Sequence, residues 1–257
     1  MNATLTVLGS GTSMGVPTIG CDCAVCHSTD PHDCRTRPSV LVEYDGRAVL
    51  IDTTPDFREQ AIRENIRHLD AVLYTHTHAD HILGIDDLRP LSFLHKPDRL
   101  PLYAQPEAAQ FIRSMFHYIF DANYKFGGLP LVEMRAIDGP LELFGATFEP
   151  VTLIHGDAEI LGFRFGSAAY LTDHSDIPEA SLAKLENLDI LFLDALRYKP
   201  HPTHSTVENS LRTVDRLKPQ RAFFTHICHD LPHQATNASL PEDVRLSYDG
   251  MKLEFEI

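Results

Sequence analysis

A chain of 257 residues that sets 36 acidic side chains against 22 lysines and arginines carries a formal charge of −14. That balance disfavours nucleic acid as a partner, because gripping a long polyanion takes clustered cations. The 43% hydrophobic content is ordinary for a globular protein with a core, and no apolar run nears the roughly 18 residues of a membrane span.

At this length one large α/β domain or two small ones fit. Residues 1–7 lack the basic start and long apolar stretch of a secretory signal and read instead as a strand, so a cytoplasmic protein is expected. Strand-like runs continue at 3–8, 39–44, 47–52 and 71–75. A second set lies at 146–154, 159–165, 168–172, 190–194, 221–225 and 252–256. Helices are predicted over 56–66, where Phe57, Ala61, Ile62 and Ile66 recur at near-helical spacing, and over about 106–119 after Pro106. A third runs over about 206–217 ahead of Pro219, with Val207, Leu211, Val214 and Leu217 on one stripe. Core packing accounts for all three stripes. Residues 121–130 and 230–242 read as loops. With no low-complexity linker and no residue-level repeat, the pattern supports an α/β chain with two sheet-forming halves.

Residues 9–15 are glycine-rich and follow a strand, but Met14 stands where a dinucleotide fingerprint needs its third glycine. The Lys-Ser/Thr pair of a nucleotide triphosphatase is also missing. These glycines read as backbone punctuation that turns the chain under a site elsewhere.

That site announces itself at 75–81, Thr-His-Thr-His-Ala-Asp-His, directly after the apolar run 71–74. Neutral imidazole and ionised carboxylate are the natural ligands of zinc-like ions. In an extended segment His76 and His78 point to one side, and Asp80 and His81, where the chain turns, address a second ion. A solvated polar loop is the bland alternative. Downstream, His155 follows 148–154, Asp173 follows 168–172 and His226 follows 221–225. Each stands where a buried strand gives way to a loop, the usual place for a site built on a rigid scaffold. Singly, each reads more often as a turn residue or a hydrogen-bonded rim group. Together they complete a set of seven ligands, enough for two metals sharing one carboxylate.

Three of the five cysteines, Cys21, Cys23 and Cys26, form a C-x-C-x-x-C run after Gly20. Such a run wraps three thiolates around one ion and needs a fourth ligand to close a tetrahedral structural site. Reduced thiols, or a redox pair, are the alternative. An odd count without a secretory signal argues against a disulfide framework. Cys228 reads as a small apolar filler, and Cys34 is left over.

The order His76-x-His78-x-Asp80-His81, His155, Asp173, His226 resembles the dinuclear metallo-β-lactamase superfamily of hydrolases, and it spans nearly the whole chain. Within that superfamily the chain most resembles the phosphoribosyl 1,2-cyclic phosphate phosphodiesterases of the carbon–phosphorus lyase pathway. The matching features are Gly-Val-Pro at 15–17 before the cysteine run, Thr225-His226-Ile227-x-His229, and the ending at 248–251, Tyr-Asp-Gly-Met.

The resemblance implies one hydrolase domain over 1–257 with the αββα sandwich, two mixed sheets flanked by helices. It implies one divalent metal, zinc or manganese, on His76, His78 and His155, a second on Asp80, His81 and His226, and Asp173 bridging them. It makes His229 the fourth ligand of a structural zinc on Cys21, Cys23 and Cys26. Asp52 matches a carboxylate that orients a ligand imidazole, although Thr54 stands where the superfamily often has glycine. A homodimer is also implied.

Metals neutralise charge on a phosphoryl group but supply no proton for the leaving alkoxide. A histidine near its neutral pKa suits that task. His204 matches the family's catalytic acid, just before the helix that starts around 205–206, and His201 is its competitor. Arg197 and Lys199 read either as phosphate clamps or as solvated charges. The expected activity is hydrolysis of a small cyclic phosphodiester such as 5-phosphoribosyl 1,2-cyclic phosphate. His-Ser-Thr at 204–206 is also similar to transfer-RNA 3′-processing endonucleases, which normally carry a basic, glycine-rich arm that this sequence lacks. A metal-binding regulatory protein with weak hydrolase activity is the alternative from another class, and thioester hydrolysis of the glyoxalase type is more distant.

Overall fold

Alternating apolar positions become strands buried on both faces. In the computed structural model, which describes every residue except Pro97, Ala122, Lys125 and Phe126, they pair into two seven-stranded sheets. The first holds β1 (Asn2–Gly9), β2 (Ser39–Tyr44), β3 (Arg47–Ile51), β4 (Ala71–Leu73), β5 (Leu100–Ala104), β6 (Val132–Ala136) and, at its edge beside β1, β14 (Lys252–Glu256). The second holds β7 (Leu141–Leu143), β8 (Ala146–His155), β9 (Ala158–Phe165), β10 (Ala168–Leu171), β11 (Ile190–Asp194), β12 (Arg221–Thr225) and β13 (Val244–Leu246), neighbours in sequence being neighbours in space.

Both sheets are mixed. Short turns give the antiparallel pairs β2–β3, β7–β8, β8–β9 and β9–β10, as where Asp45 and Gly46, both at positive φ, reverse the chain between β2 and β3. Longer, helix-bearing crossovers give the parallel pairs β3–β4, β4–β5, β10–β11 and β11–β12.

The strand period of two sorts the core into three layers. Between the sheets, Leu5, Val42, Val49, Ile51 and Leu73 meet Phe148, Phe163, Phe165, Tyr170 and Phe192. The intervening residues Leu50, Val72 and Leu102 turn outward beneath Phe57 of the helix Phe57–Arg63 and Ile112 of the helix Pro106–Met115. On the other outer face Leu171, Leu191, Leu193 and Phe224 pack under Val207 and Val214 of the helix Val207–Leu217. Each fully buried Leu or Phe contributes about 1.5–3 kcal/mol, and together they hold helix, sheet, sheet and helix in register. This is the αββα architecture. Among the described residues no helix is long and apolar enough to cross a membrane.

Several elements differ from expectation. The run 252–256, grouped with the second half, returns to the first sheet, where Glu256 pairs with Asn2 and Lys252 with Thr6. Its residues alternate outward and inward, Lys252, Glu254 and Glu256 exposed against the partly buried Leu253 and the buried Phe255, a pattern that any neighbouring strand would satisfy. The helix read over 106–119 breaks at Phe116, whose φ of −106° and ψ of 39° leave the helical range. The loop read at 230–242 contains the helix His233–Asn237. The loop read at 121–130 includes Ala122, Lys125 and Phe126, which lie outside the described residues. Strands β5 (Leu100–Ala104), β6 (Val132–Ala136), β7 (Leu141–Leu143) and β13 (Val244–Leu246) had no expected counterpart; β5 carries Pro101, β6 carries Glu133 and Arg135, and β7 and β13 are three residues long, so none shows an unbroken apolar run.

Candidate metal centre

One edge of the sandwich collects the chemistry. His76 and His78 lie just beyond β4, after Tyr74 and Thr75, and Asp80 and His81 lie on the short helix Ala79–Ile82. His155 is the last residue of β8, Asp173 comes two residues after β10, and His226 immediately after β12. Three residues here hold left-handed backbone without being glycine: Asp52 at φ 67°, Asp173 at 59° and His226 at 57°. That conformation costs free energy for a residue with a Cβ and collects at functional sites. Here it turns each side chain back over its own strand end.

The side chains converge in two groups. Ligand-type atoms of His76, His78 and His155 lie within 4.8 Å of one another, as do those of Asp80, His81, Asp173 and His226. Asp173 stands between them. Its Oδ2 is 3.1 Å from His226 Nε2, 3.3 Å from His81 Nε2 and 3.9 Å from His76 Nε2. Outer contacts set the imidazoles. His81 Nδ1 donates to Asp52 Oδ2 at 2.7 Å, and His155 Nδ1 donates to the Thr203 carbonyl at 2.8 Å, so each turns Nε2 inward. Asp52, wholly buried, also accepts from the Thr75 amide at 2.9 Å and the Thr75 hydroxyl at 2.8 Å.

This arrangement suits a cation. His76 Nε2, His81 Nε2, both nitrogens of His226 and Asp80 Oδ2 are buried without a hydrogen-bond partner. Orphaned polar atoms are expensive to bury, and four of these, His76 Nε2, His81 Nε2, His226 Nε2 and Asp80 Oδ2, face the Asp173 carboxylate or one another as bound metal would require. The charges respond to one another accordingly. Burial opposes a charge on His226, but Asp173 and Asp80 beside it push its pKa up to about 10. Burial likewise opposes charge on His81, outweighed by Asp173, Asp80 and Asp52, which hold it well above the ordinary imidazole range. His226 and His81 in turn hold the buried Asp173 well below the usual carboxylate range. His76 is pushed well down, first by burial and then by His81.

A second cluster brings Cys21, Cys23, Cys26 and His229 within the same 4.8 Å limit. His229 Nδ1 lies 3.2 Å from Cys21 Sγ, 3.3 Å from Cys26 Sγ and 3.7 Å from Cys23 Sγ. Three thiols around one imidazole nitrogen is the donor set of a structural zinc. The loop that presents His229 is pinned from behind by the buried Arg35, which donates to the carbonyls of Cys228 at 2.9 Å and Leu231 at 2.7 Å. Cys228 is buried, as a filler should be, and Cys34 is exposed.

His204 faces a cavity of about 480 Å³ that it shares with His78, Asp80, His155, Asp173 and His226. Its ring stacks on that of His226 at 4.5 Å, and its Nδ1 is 2.6 Å from Asp194 Oδ2. Burial pushes the Asp194 carboxyl up to about 8 and His204 down to about 4. The Nδ1 contact with Asp194 leaves Nε2 of His204 turned to the cavity. Asp194 had no expected role, yet its signal was in the sequence: like Asp173, it closes an apolar run. His201 lies with its ring 5.1 Å from that of His204, hydrogen-bonded near Thr203, and does not line the cavity. Nor do Arg197 and Lys199 line it; the Arg197 guanidinium donates to the carbonyls of Lys199 and Pro200 at 3.3 Å.

Comparison with known proteins bears on the family. The beta-lactamase superfamily domain matches residues 47–227. A solved structure described as a new diphosphatase from the PhnP family is 61% identical and superposes with a TM-score of 0.94, covering 99% of this chain and 98% of that one. A Porphyromonas gingivalis protein named octanoyltransferase is 41% identical over 251 residues, which make up 96% of this chain and 50% of that protein. A ribonuclease Z of Bradyrhizobium diazoefficiens is 31% identical over 141 residues, 52% of this chain and 46% of that enzyme. The chain thus spans about half the length of the curated relatives it matches, and the octanoyltransferase name belongs to a protein twice its extent.

Proposed function

The chain belongs to the metallo-β-lactamase superfamily of metal-dependent hydrolases, and within it to the PhnP family; on that premise we propose that it is a dinuclear phosphodiesterase for small esters. The observation that carries this reading is Asp173 Oδ2 standing between two groups of inward-facing imidazoles, with His204 across the same cavity.

In this reading His76, His78 and His155 hold one divalent ion, zinc or manganese, Asp80, His81 and His226 hold another, and Asp173 serves both. When bound, such ions supply Lewis acidity, neutralising charge on the phosphoryl oxygens and making water a stronger acid. Hydrolysis breaks one P–O bond, adds the hydroxyl of water to phosphorus and delivers a proton to the leaving oxygen. Asp173 is placed to orient the water by accepting its hydrogen bond. His204 gives a proton from Nε2 to the leaving oxygen while Nδ1 takes up the proton held with Asp194, so the ring ends as neutral imidazole and Asp194 as carboxylate; the Asp194 contact also fixes the ring's orientation. The Cys21, Cys23, Cys26 and His229 cluster takes a structural zinc. The substrate class is a cyclic or mononucleotide-like phosphodiester, of which 5-phosphoribosyl 1,2-cyclic phosphate is the member that the family resemblance names.

Endonucleolytic cleavage of RNA is the second reading, favoured by the likeness to ribonuclease Z and opposed by the charge of −14. Manganese- and zinc-loaded protein should therefore be assayed side by side on ribose 1,2-cyclic phosphate, 2′,3′-cyclic nucleotides and precursor transfer RNA. His204→Ala should cut turnover of the small ester by about 10²–10⁴-fold with the metal content unchanged. Turnover at the wild-type rate would remove His204 from its role, and cleavage of the RNA alone would replace the first reading by the second.

A further inference from the structure

The two oxygens of the Asp173 carboxylate have different surroundings. Oδ2 is the one that stands near three imidazoles, 3.1 Å from His226 Nε2, 3.3 Å from His81 Nε2 and 3.9 Å from His76 Nε2. Oδ1 is taken by the preceding side chain, Thr172, whose Oγ1 donates to it at 2.5 Å. Chemistry settles the direction of that bond, because an ionised carboxylate only accepts and the hydroxyl has one proton to give. Both residues are buried, and a hydrogen bond to a charged acceptor is among the stronger kinds.

The contact fixes the one freedom that the fold leaves to this carboxylate. The backbone beyond β10 is already pinned. Asp173 adopts φ 59°, and both the amide and the hydroxyl of Ser175 donate to the Ile154 carbonyl, at 2.7 Å and 3.0 Å. Rotation of the carboxylate remains, and it decides whether one oxygen or both turn towards the imidazoles. With Oδ1 engaged by Thr172, Oδ2 alone is left for the two groups of ligands. A threonine before a ligand does not do this automatically. Thr225 precedes His226 in the same way, yet its buried Oγ1 has no hydrogen-bond partner among the described residues.

We propose that Thr172 is a positioning residue that makes Asp173 a one-oxygen bridge: its hydroxyl holds Oδ1, so that Oδ2 alone serves both divalent ions. This rests on the dinuclear reading and adds to it the way in which the shared carboxylate is held. Thr172 does not line the cavity, so it acts through Asp173 and not on the substrate. Without the hydroxyl, Oδ1 would be buried and unpaired, which is costly. Turning both oxygens to the ions would relieve that cost, and the bridge would then run through the whole O–C–O group instead of a single oxygen.

The test uses protein that keeps zinc on its cysteine cluster while the catalytic groups are stripped and reloaded with manganese, an ion that suits carboxylate-bearing sites better than thiolate ones. Thr172→Val keeps the shape and loses the donor, and Thr172→Ser keeps the donor. Thr172→Ala removes the hydroxyl in a second way, should the valine variant not fold. Affinity for the second manganese, measured by competition with a chelator, should fall about 10–100-fold in Thr172→Val and return in Thr172→Ser. Paramagnetic resonance of the fully loaded wild type should show the exchange-coupled signal of a manganese pair, with the coupling weakened in Thr172→Val and kept in Thr172→Ser. With bis(4-nitrophenyl) phosphate at saturating manganese, kcat should fall in Thr172→Val while KM holds. Affinity and coupling unmoved by valine or alanine, or lost as fully with serine as with valine, would overturn the proposal and leave the dinuclear reading standing. A wild type that takes up a single manganese at the catalytic groups, or two without coupling, would instead bring down the shared-carboxylate reading and this proposal with it.

Discussion

Replacing Asp52 by asparagine isolates what a buried carboxylate does for the metal centre it does not join. The carboxylate accepts three hydrogen bonds of 2.7–2.9 Å, from His81 Nδ1 and from the amide and hydroxyl of Thr75, and is wholly buried. Burial raises its pKa, with His81 and then Thr75 working against that rise. The asparagine oxygen can keep the Thr75 amide, but its NH₂ then faces the N–H of His81, leaving that donor buried and unpaired. An orphan of this kind costs about 1–3 kcal/mol, partly offset because no charge remains to be buried. The metal-free variant should therefore lose about 2 kcal/mol of stability in urea titration. His81 would also lose both its fixed ring orientation and the basicity lent by the carboxylate, and losses of this sort cost about 10–100-fold in metal affinity. Competition against a chromogenic chelator measures that directly. A variant with wild-type urea midpoint and wild-type affinity would refute the argument that Asp52 sets the His81 imidazole.

Two further substitutions probe the frame around the site. Cys26→Ser should remove one zinc per chain, counted by atomic emission, and lower the melting temperature, because metal binding free energy at a structural site is folding free energy; an unchanged zinc count would show that the thiols do not bind it. Gly84→Ala places a Cβ onto the Thr54 carbonyl oxygen and against Phe57, so that backbone must shift. The cost should be roughly 3 kcal/mol, or about 6–12 °C in melting temperature for a chain of this size, and a melting point within a degree of wild type would contradict the close approach.

The sequence already contained the chemistry. His76, His78, Asp80 and His81 crowd into six positions, and His155, Asp173 and His226 each close an apolar run. These are local facts, and strand and helix periods are local too, so most long elements were legible. Even Asp194 was marked by the same sign as Asp173. What stayed hidden was partnership. Nothing in 252–256 says that this strand crosses to pair with residues 2–6, because an edge strand's alternation is satisfied by any neighbour. Nothing local distinguishes His204, 2.6 Å from Asp194, from His201 three residues earlier. Only folding separates them, by putting one ring on His226 and leaving the other outside the cavity. The left-handed turns at Asp52, Asp173 and His226 were likewise decided by tertiary structure, since their backbone cost is outweighed only when packed strands and converging side chains hold the site together.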